Sequence, residues 1–319
     1  MECVANITYI TFEGHAGLQK YKYVYFTIAL TAYLLILFFN SFIICLIFKN
    51  KTLHEPMYIL IAALFLNAIF GTTAFYPKLL IDFLSDKQII SYPACALQAF
   101  LIYTYGVSEF TLLSAMAYDR YVSISKPLQY ATLVKMSTVK KMLLISWFFP
   151  AFEIGIMVIL TSRLKLCKFT LKKVYCDNYS IVKLSCGDTA LNNYYGLFVL
   201  IISVFPALIF IVFSYIKILL ICLRNSKDFR RKALQTCLPH LLIFVNFSVN
   251  CVFEVVQHRL EINIPETLRI IMIVESFCTP PLLNPIIYGL KLQEISKKIK
   301  RLLWPNKALA AIKATTFAY

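Results

Sequence analysis

Asp119 and Arg120 stand side by side near the end of a long apolar run, within Met116-Ala117-Tyr118-Asp119-Arg120-Tyr121. An acid and a base at the edge of a low-dielectric region can pair. Breaking a partly buried pair costs free energy, so such a couple can act as a latch between two states. Ionisable residues in apolar spans are rare and usually functional. Glu109 precedes Arg120 by about three helical turns on the same face, where a carboxylate needs a partner or a proton. The other reactive side chains form no catalytic set. His15, His54, His240 and His258 are scattered, with no His-Glu-x-x-His motif and no Cys-x-x-Cys. Neither an enzyme nor a metal or cofactor site is expected.

The composition identifies the solvent in which these groups must be held. Of 319 residues, 60% are hydrophobic and 15% are charged, against roughly 25% charged in a soluble domain. That much apolar surface cannot be hidden from water in a soluble fold of this size, so most of the chain faces lipid. Residues 23–48 contain no Asp, Glu, Lys or Arg, and about 20 apolar residues suffice to cross the hydrocarbon core. Further spans are read at 57–80, 94–125, 142–160, 191–223, 233–257 and 268–288. These runs are apolar all round, which excludes the alternating strands of a membrane barrel. The expected architecture is an all-α bundle of seven transmembrane helices spanning 23–288, between an outer tail (1–22) and an inner segment (289–319).

Orientation follows from the basic residues. Lys49 and Lys51, then Lys126, Lys135, Lys140 and Lys141, then Arg224, Lys227, Arg230, Arg231 and Lys232 fall in the short connections of one side. That side is cytosolic by the positive-inside rule, which puts the N-terminus outside and the C-terminus inside. The net charge of +16 is thereby explained without nucleic acid, for which no binding motif is present. The sequons at Asn6 and Asn178 both fall outside and are expected to be glycosylated; those at Asn50 and Asn246 fall in cytosol and membrane. No cleavable leader is read in 1–22, so the first span is expected to serve as its own insertion signal. In 290–304, Leu292, Ile295, Ile299 and Leu302 recur at helical spacing beside Lys297, Lys298, Lys300 and Arg301. This pattern predicts an amphipathic helix on the inner leaflet, where each base gains about 1 kcal/mol from anionic lipid.

Two prolines mark possible hinges. Pro285 lacks an N–H and breaks the ladder of the seventh span, with Asn284 placed to satisfy freed backbone groups; Pro239 loosens the sixth span in the same way. A cavity whose occupancy moves the sixth helix must lie among the third, fifth, sixth and seventh. Counting upward from Arg120 gives Ile102, Tyr103, Gly106, Val107 and Phe110 as its lining. The other helices add Val199, Ile202 and Ser203, then Cys251, Val252 and Val255, then Val274 and Phe277. A mostly apolar lining with a few polar anchors suits a small organic molecule. Near the outer ends, Glu254, Glu275 and Arg269 could recognise polar ligands, and Arg163, Lys165, Lys168, Lys172, Lys173 and Lys183 could attract anionic ones.

Four ordered motifs resemble those of olfactory receptors, which are rhodopsin-like G-protein-coupled receptors, and the wording is most similar to fish-type members. They are Leu53-His54-Glu55-Pro56-Met57-Tyr58, the run from Met116 to Tyr130, Lys232-Ala-Leu-Gln-Thr-Cys-Leu-Pro-His240, and Pro281-Leu-Leu-Asn-Pro-Ile-Ile-Tyr288. The likeness spans roughly residues 40–295. It implies that Arg120, flanked by Asp119 and Tyr121, turns toward a G protein on activation while Tyr215 and Tyr288 close over it. Lys232 is expected to border that cleft, with His240, Asn284 and Pro285 as switch residues. Four cysteines on the outer side allow three pairings; the resemblance selects Cys95–Cys176 and Cys167–Cys186. It also implies an acid at Glu109, normally partnered by one in the second helix, where this chain offers Asn67. Asn40, Asn67, Glu109 and Asn284 could form a sodium-type site or a purely structural polar cluster. Amine receptors of similar fold carry an Asp where this chain has Ile102, so a cationic amine would meet no counter-ion there.

The function implied is an odorant receptor of the plasma membrane. A small odorant would bind in the bundle, and a stimulatory, olfactory-type heterotrimeric G protein would raise cyclic AMP. A rhodopsin-like receptor for another small ligand is the alternative within the class. A transporter would show inverted repeats and paired broken helices, which are not found.

Overall fold

The computed structural model describes residues 9–14, 21–260 and 266–303. Among them, α1 covers Lys22–Lys49, α2 Pro56–Leu84, α3 Tyr92–Ser125, α4 Met136–Ser162, α5 Ala190–Leu223 and α6 Lys227–Leu260. A seventh helix, α7, comes in two pieces, Glu266–Phe277 and Thr279–Lys291, and α8 is Gln293–Leu303. Helices α1 to α5 are each long and apolar enough to cross a membrane, and the bent pair of α7 qualifies as one span. The apolar section of α6 is shorter, His240–Val255, because the helix continues at both ends into polar sequence. The same overrun explains why α4 starts at Met136 rather than near 142.

Large side chains such as Phe38, Phe148, Phe152, Ile209 and Phe213 point outward, which suits contact with lipid. Inside, a continuous core joins Ile61, Phe65, Leu112, Leu113, Ile211, Phe244 and Tyr288. One face of the bundle carries an element absent from the sequence reading, a three-stranded sheet in the order β2-β1-β3. Strand β1 (Tyr9–Phe12) pairs antiparallel with β2 (Ile89–Ser91) and parallel with β3 (Thr170–Leu171). Ile10 and Phe12 point inward while Tyr9 and Thr11 do not, the alternation of a half-buried strand.

Prolines set the shape of several helices, and neighbouring side chains repair what they break. Pro285 has no N–H for the carbonyl four residues back, Pro281. That oxygen instead accepts a 2.8 Å hydrogen bond from Nδ2 of Asn40 on α1. Pro150 in α4 likewise strands the carbonyl of Ser146, which accepts from Oγ1 of Thr111 on α3 at 3.1 Å. The repair at Pro285 thus comes from Asn40, correcting the expectation for Asn284. The main bend of α7 also lies elsewhere. Its halves meet at 44° around Cys278, because Thr279-Pro280-Pro281 removes two consecutive donors and disfavours helix in the residue before each ring. In α5, a wide π-turn at Leu200–Val204 precedes Pro206. Such a turn rotates the helix faces on either side of it.

If these side-chain repairs hold the bundle, Asn40→Leu should destabilise the purified protein by about 1–3 kcal/mol, and Thr111→Val by about 1 kcal/mol. Thermal denaturation in detergent measures both. Midpoints identical to the unaltered protein would contradict the assignment.

Candidate functional site

Helix α3 starts under a Ser91 cap, whose side chain accepts from the Ala94 N–H, and carries functional groups along its whole length. Near its C-terminal end, Asp119 is fully buried. Its Oδ2 accepts from Nε and Nη2 of Arg120 at 3.1 and 2.5 Å, and its Oδ1 accepts from the hydroxyl of Tyr130 at 2.7 Å. Burial and the adjacent Asp119 carboxylate push the Tyr130 phenol above its ordinary pKa, so it stays a donor. Tyr130 lies within one of the four sequence motifs, but nothing in the sequence marked it as a partner of the Asp119–Arg120 pair.

Tyr121 packs beside this pair against an α5–α6 cluster that includes Ile218, Cys222 and Cys237. The Tyr215 hydroxyl bonds Nδ1 of His240, and their rings stack. Tyr288 is buried edge-on to Phe65. In this arrangement, then, Arg120 is held by Asp119, the Tyr215 hydroxyl is taken by His240, and the Tyr288 hydroxyl has no hydrogen-bond partner. The side chains of Lys232 and Pro239 lie outside the described residues.

At mid-bundle, Asn67 donates from Nδ2 to Glu109 Oε2 at 2.7 Å and to the Tyr105 carbonyl at 3.2 Å. Asn40 faces the α7 backbone instead, and Asn284 is buried nearby on α7. Among the described residues no cluster of three acidic, His or Cys side chains could hold a metal ion. Another buried acid, Glu153, went unnoticed in the sequence, although a lone Glu in the apolar run of α4 was the available signal. Glu153 Oε2 accepts from Ser203 at 2.5 Å, and its carbonyl accepts from Tyr195 at 3.1 Å.

Toward the disulfide-bearing face, α3, α5, α6 and α7 enclose a cavity of about 240 Å³. Of the expected lining, Ile102, Tyr103, Gly106, Val107, Phe110, Val199, Cys251, Val255 and Phe277 surround it. Four residues do not. Ile202, Val252 and Val274 point outward, 44%, 55% and 52% exposed, and Ser203 turns to Glu153. The π-turn accounts for the α5 errors, since it brings Val199, Leu200 and Val204 inward and carries Ile202 and Ser203 past the cavity. On α7 the wall is made by Ser276 and Phe277, and Phe277 stacks on Phe75 at 4.3 Å.

The roof is the segment between α4 and α5, tethered by the disulfides Cys95–Cys176 and Cys167–Cys186. The Cys176 N–H donates to Gln98 Oε1 at 2.9 Å. Asp177 caps a short turn, Asn178–Val182, by accepting from the Ser180 N–H. Asn178, expected as a glycosylation site, is only 5% exposed; its Oδ1 accepts from Thr161 Oγ1, and the residue lines the cavity. A side chain so enclosed is no surface acceptor for a glycan. Asn6 lies outside the described residues, as does the side chain of Arg269. Lys173 bridges this roof to α6, reaching Asp177 Oδ2 at 3.0 Å and Glu254 Oε2 at 3.6 Å. Burial disfavours its ammonium, but the two carboxylates more than offset that and hold its pKa above the ordinary value. At the opposite face, Leu292 and Ile295 are buried by the bundle, whereas Leu302 remains exposed.

Comparison with known proteins agrees with this geometry. A family profile described as "Olfactory receptor" matches residues 29–306. The chain is 35% identical to human olfactory receptor 52J3 over 84% of its length and 87% of the relative's. It is 32% identical to human olfactory receptor 10J4, covering 93% and 96% of the two chains, and 32% identical to mouse olfactory receptor 4B13, covering 95% and 98%. The chain belongs to the olfactory receptor family. Its fold is that of squid rhodopsin, with a TM-score of 0.70 at 16% identity over 88% of this chain and 85% of that one. The olfactory receptor is accordingly a multi-pass membrane protein with the seven-helix, rhodopsin-like architecture.

Two glycines of the receptor have opposite surroundings. A Cβ on Gly106 would meet nothing within 4 Å, whereas one on Gly71 would run into the ring of Tyr105, which lies across α2 there. Gly106→Ala is therefore expected to leave thermal stability unchanged or raise it by up to about 1 kcal/mol, since alanine loses less backbone entropy in a helix, and Gly71→Ala to lower it by about 1–3 kcal/mol through overpacking. Equal losses at both positions would show that the cavity and the Tyr105 contact are misplaced.

Proposed function

We propose that the receptor binds small organic odorants in the cavity beneath the disulfide-tethered roof. Occupancy releases Arg120 from Asp119 as the adjacent end of α6 moves away from α3. The opened cleft then accelerates nucleotide exchange on a stimulatory, olfactory-type heterotrimeric G protein, which raises cyclic AMP. In this reading the protein sits in the plasma membrane with the disulfide-bearing face outside and the Arg120 face in the cytosol.

One observation carries the proposal. The same helix, α3, lines the cavity through Ile102, Tyr103, Gly106, Val107 and Phe110, and holds the Asp119–Arg120 pair further along. Helix α6 likewise reaches both ends, with Cys251, Glu254 and Val255 at the cavity and His240 and Cys237 beside the latch. A ligand wedged between α3 and α6 at one end therefore has a lever on the contacts at the other. The ligand must bind the open state better than the closed one. Equal affinity shifts nothing, and moving a population from 1:99 to 99:1 takes about 5.5 kcal/mol of differential affinity.

Cells carrying the unaltered receptor should raise cyclic AMP in response to an activating odorant, while Arg120→Ala at equal surface expression should lose the response. Asp119→Asn should raise basal signalling, because Arg120 loses its charged partner. A full odorant response from Arg120→Ala, or lower basal signalling from Asp119→Asn, would overturn the proposal.

A further inference from the structure

Three residues that line the cavity each carry a buried polar atom without a hydrogen-bond partner: the hydroxyl of Tyr105, Oδ1 of Asn250 and Oγ of Ser276. Their neighbours are largely apolar, among them Phe110, Phe247 and Phe277. Tyr105 and Asn250 are each only 4% exposed. The donors of Asn250 are already committed, since its Nδ2 bonds Oδ1 of Asn246 at 2.9 Å and the Asn246 carbonyl at 3.1 Å. Asn246 in turn donates to Glu275 Oε1 on α7 at 2.7 Å. This chain of bonds fixes the Asn250 amide so that its free oxygen can only accept. Tyr105 is held in place from the other side, with its ring across Gly71 and edge-on to Phe247 at 6.1 Å.

A buried polar atom left unpaired costs about 1–3 kcal/mol, so a ligand that pairs it gains that much over one that cannot. Asn250 Oδ1 requires a donor on the ligand. The Tyr105 hydroxyl can donate and so rewards an acceptor, and Ser276 can do either. A carboxylate, ether, ketone or aldehyde accepts but cannot donate. An alkylammonium donates but cannot accept. A carboxylate would also enter past Asp177 and Glu254, which line the same cavity and whose two charges Lys173 only half offsets. At about 240 Å³ the space is below the ~300–1,000 Å³ usual for drug-sized ligands, so the ligand must be compact.

We infer that the cavity selects compact, uncharged ligands whose head group both donates and accepts a hydrogen bond, an aliphatic or aromatic hydroxyl being the simplest, with Tyr105, Asn250 and Ser276 as the specificity-determining residues. The inference deepens the odorant-receptor reading by naming the ligand class for that site.

The test is direct binding to the full-length purified receptor, read as ligand-dependent thermal stabilisation without G protein present. The probes are alkanols and phenols set against the methyl ethers, aldehydes, carboxylates and amines of the same carbon skeletons, at several chain lengths. The hydroxyl compounds are expected to bind about tenfold or more tightly than their matched ethers and carboxylates, the ratio that 1.4 kcal/mol corresponds to. Tyr105→Phe removes only the donor that ethers and hydroxyl compounds both use, so it should weaken the two by a similar factor, about tenfold, while leaving amine binding unchanged. Asn250→Leu should abolish the ratio, and if that variant fails to fold, Tyr105→Phe decides alone.

Equal binding across the head groups, preference for carboxylates or amines, no binding by any probe, or unaltered hydroxyl and ether binding in Tyr105→Phe would each overturn the inference. Hydroxyl-selective binding without nucleotide exchange would leave it standing and overturn only the signalling reading.

Discussion

Lipid offers no hydrogen bonds, so each backbone N–H and C=O inside the bundle must find its partner within the protein. This constraint explains where the polar residues of an otherwise apolar chain are placed. Pro285 and Pro150 each strand a carbonyl, and each receives a side-chain donor from the neighbouring helix, Asn40 from α1 and Thr111 from α3. These bonds do two things at once. They satisfy an oxygen that would otherwise be costly, and they fix which helices are neighbours and in what register, as polar contacts commonly do between membrane helices. The Asn67–Glu109 and Ser203–Glu153 pairs tie α2 to α3 and α4 to α5 in the same manner.

With the other helices pinned, the freedom that remains is concentrated around α6 and the bend of α7. Besides the core residues Ile243, Phe244 and Phe247, three polar and separable contacts restrain α6: Lys173 to Glu254 at the roof, Asn246 to Glu275 beside the cavity, and His240 to Tyr215 near the Asp119–Arg120 pair. Such contacts can be exchanged without dismantling the apolar core, which suits an element with two discrete positions. The Asp119–Arg120–Tyr130 cluster belongs to the same set. A buried carboxylate accepting three hydrogen bonds holds the arginine in one place, yet its partners are side chains that another arrangement could engage.

Much of this was legible from residue types alone. Apolar runs marked the spans, since lipid-facing helices need not alternate polar and apolar positions, and the adjacent acid and base marked the buried Asp119–Arg120 pair. The fold-back of loops could not be read in the same way. Asn178 satisfies a sequon pattern that carries no information on burial, and its burial comes from the roof folding onto the bundle, held by Cys95–Cys176 and by the bond from Thr161. Counting along an ideal helix placed Val199 correctly but misplaced Ile202 and Ser203, because the π-turn before Pro206 changes the phase within one turn. The proline logic predicted that Pro285 strands a carbonyl but named Asn284 as the donor; a residue on the same helix was the nearer guess, and Asn40, distant in sequence, was the actual one.

The central claim is mechanical: filling the cavity between α3 and α6 changes the separation of the same two helices at the Asp119–Arg120 end. A spectroscopic distance between labels placed at that end of α3 and of α6 tests it most directly, in purified receptor with and without saturating ligand. The account predicts a new, longer distance population when ligand is bound. An unchanged distribution at full occupancy would contradict it.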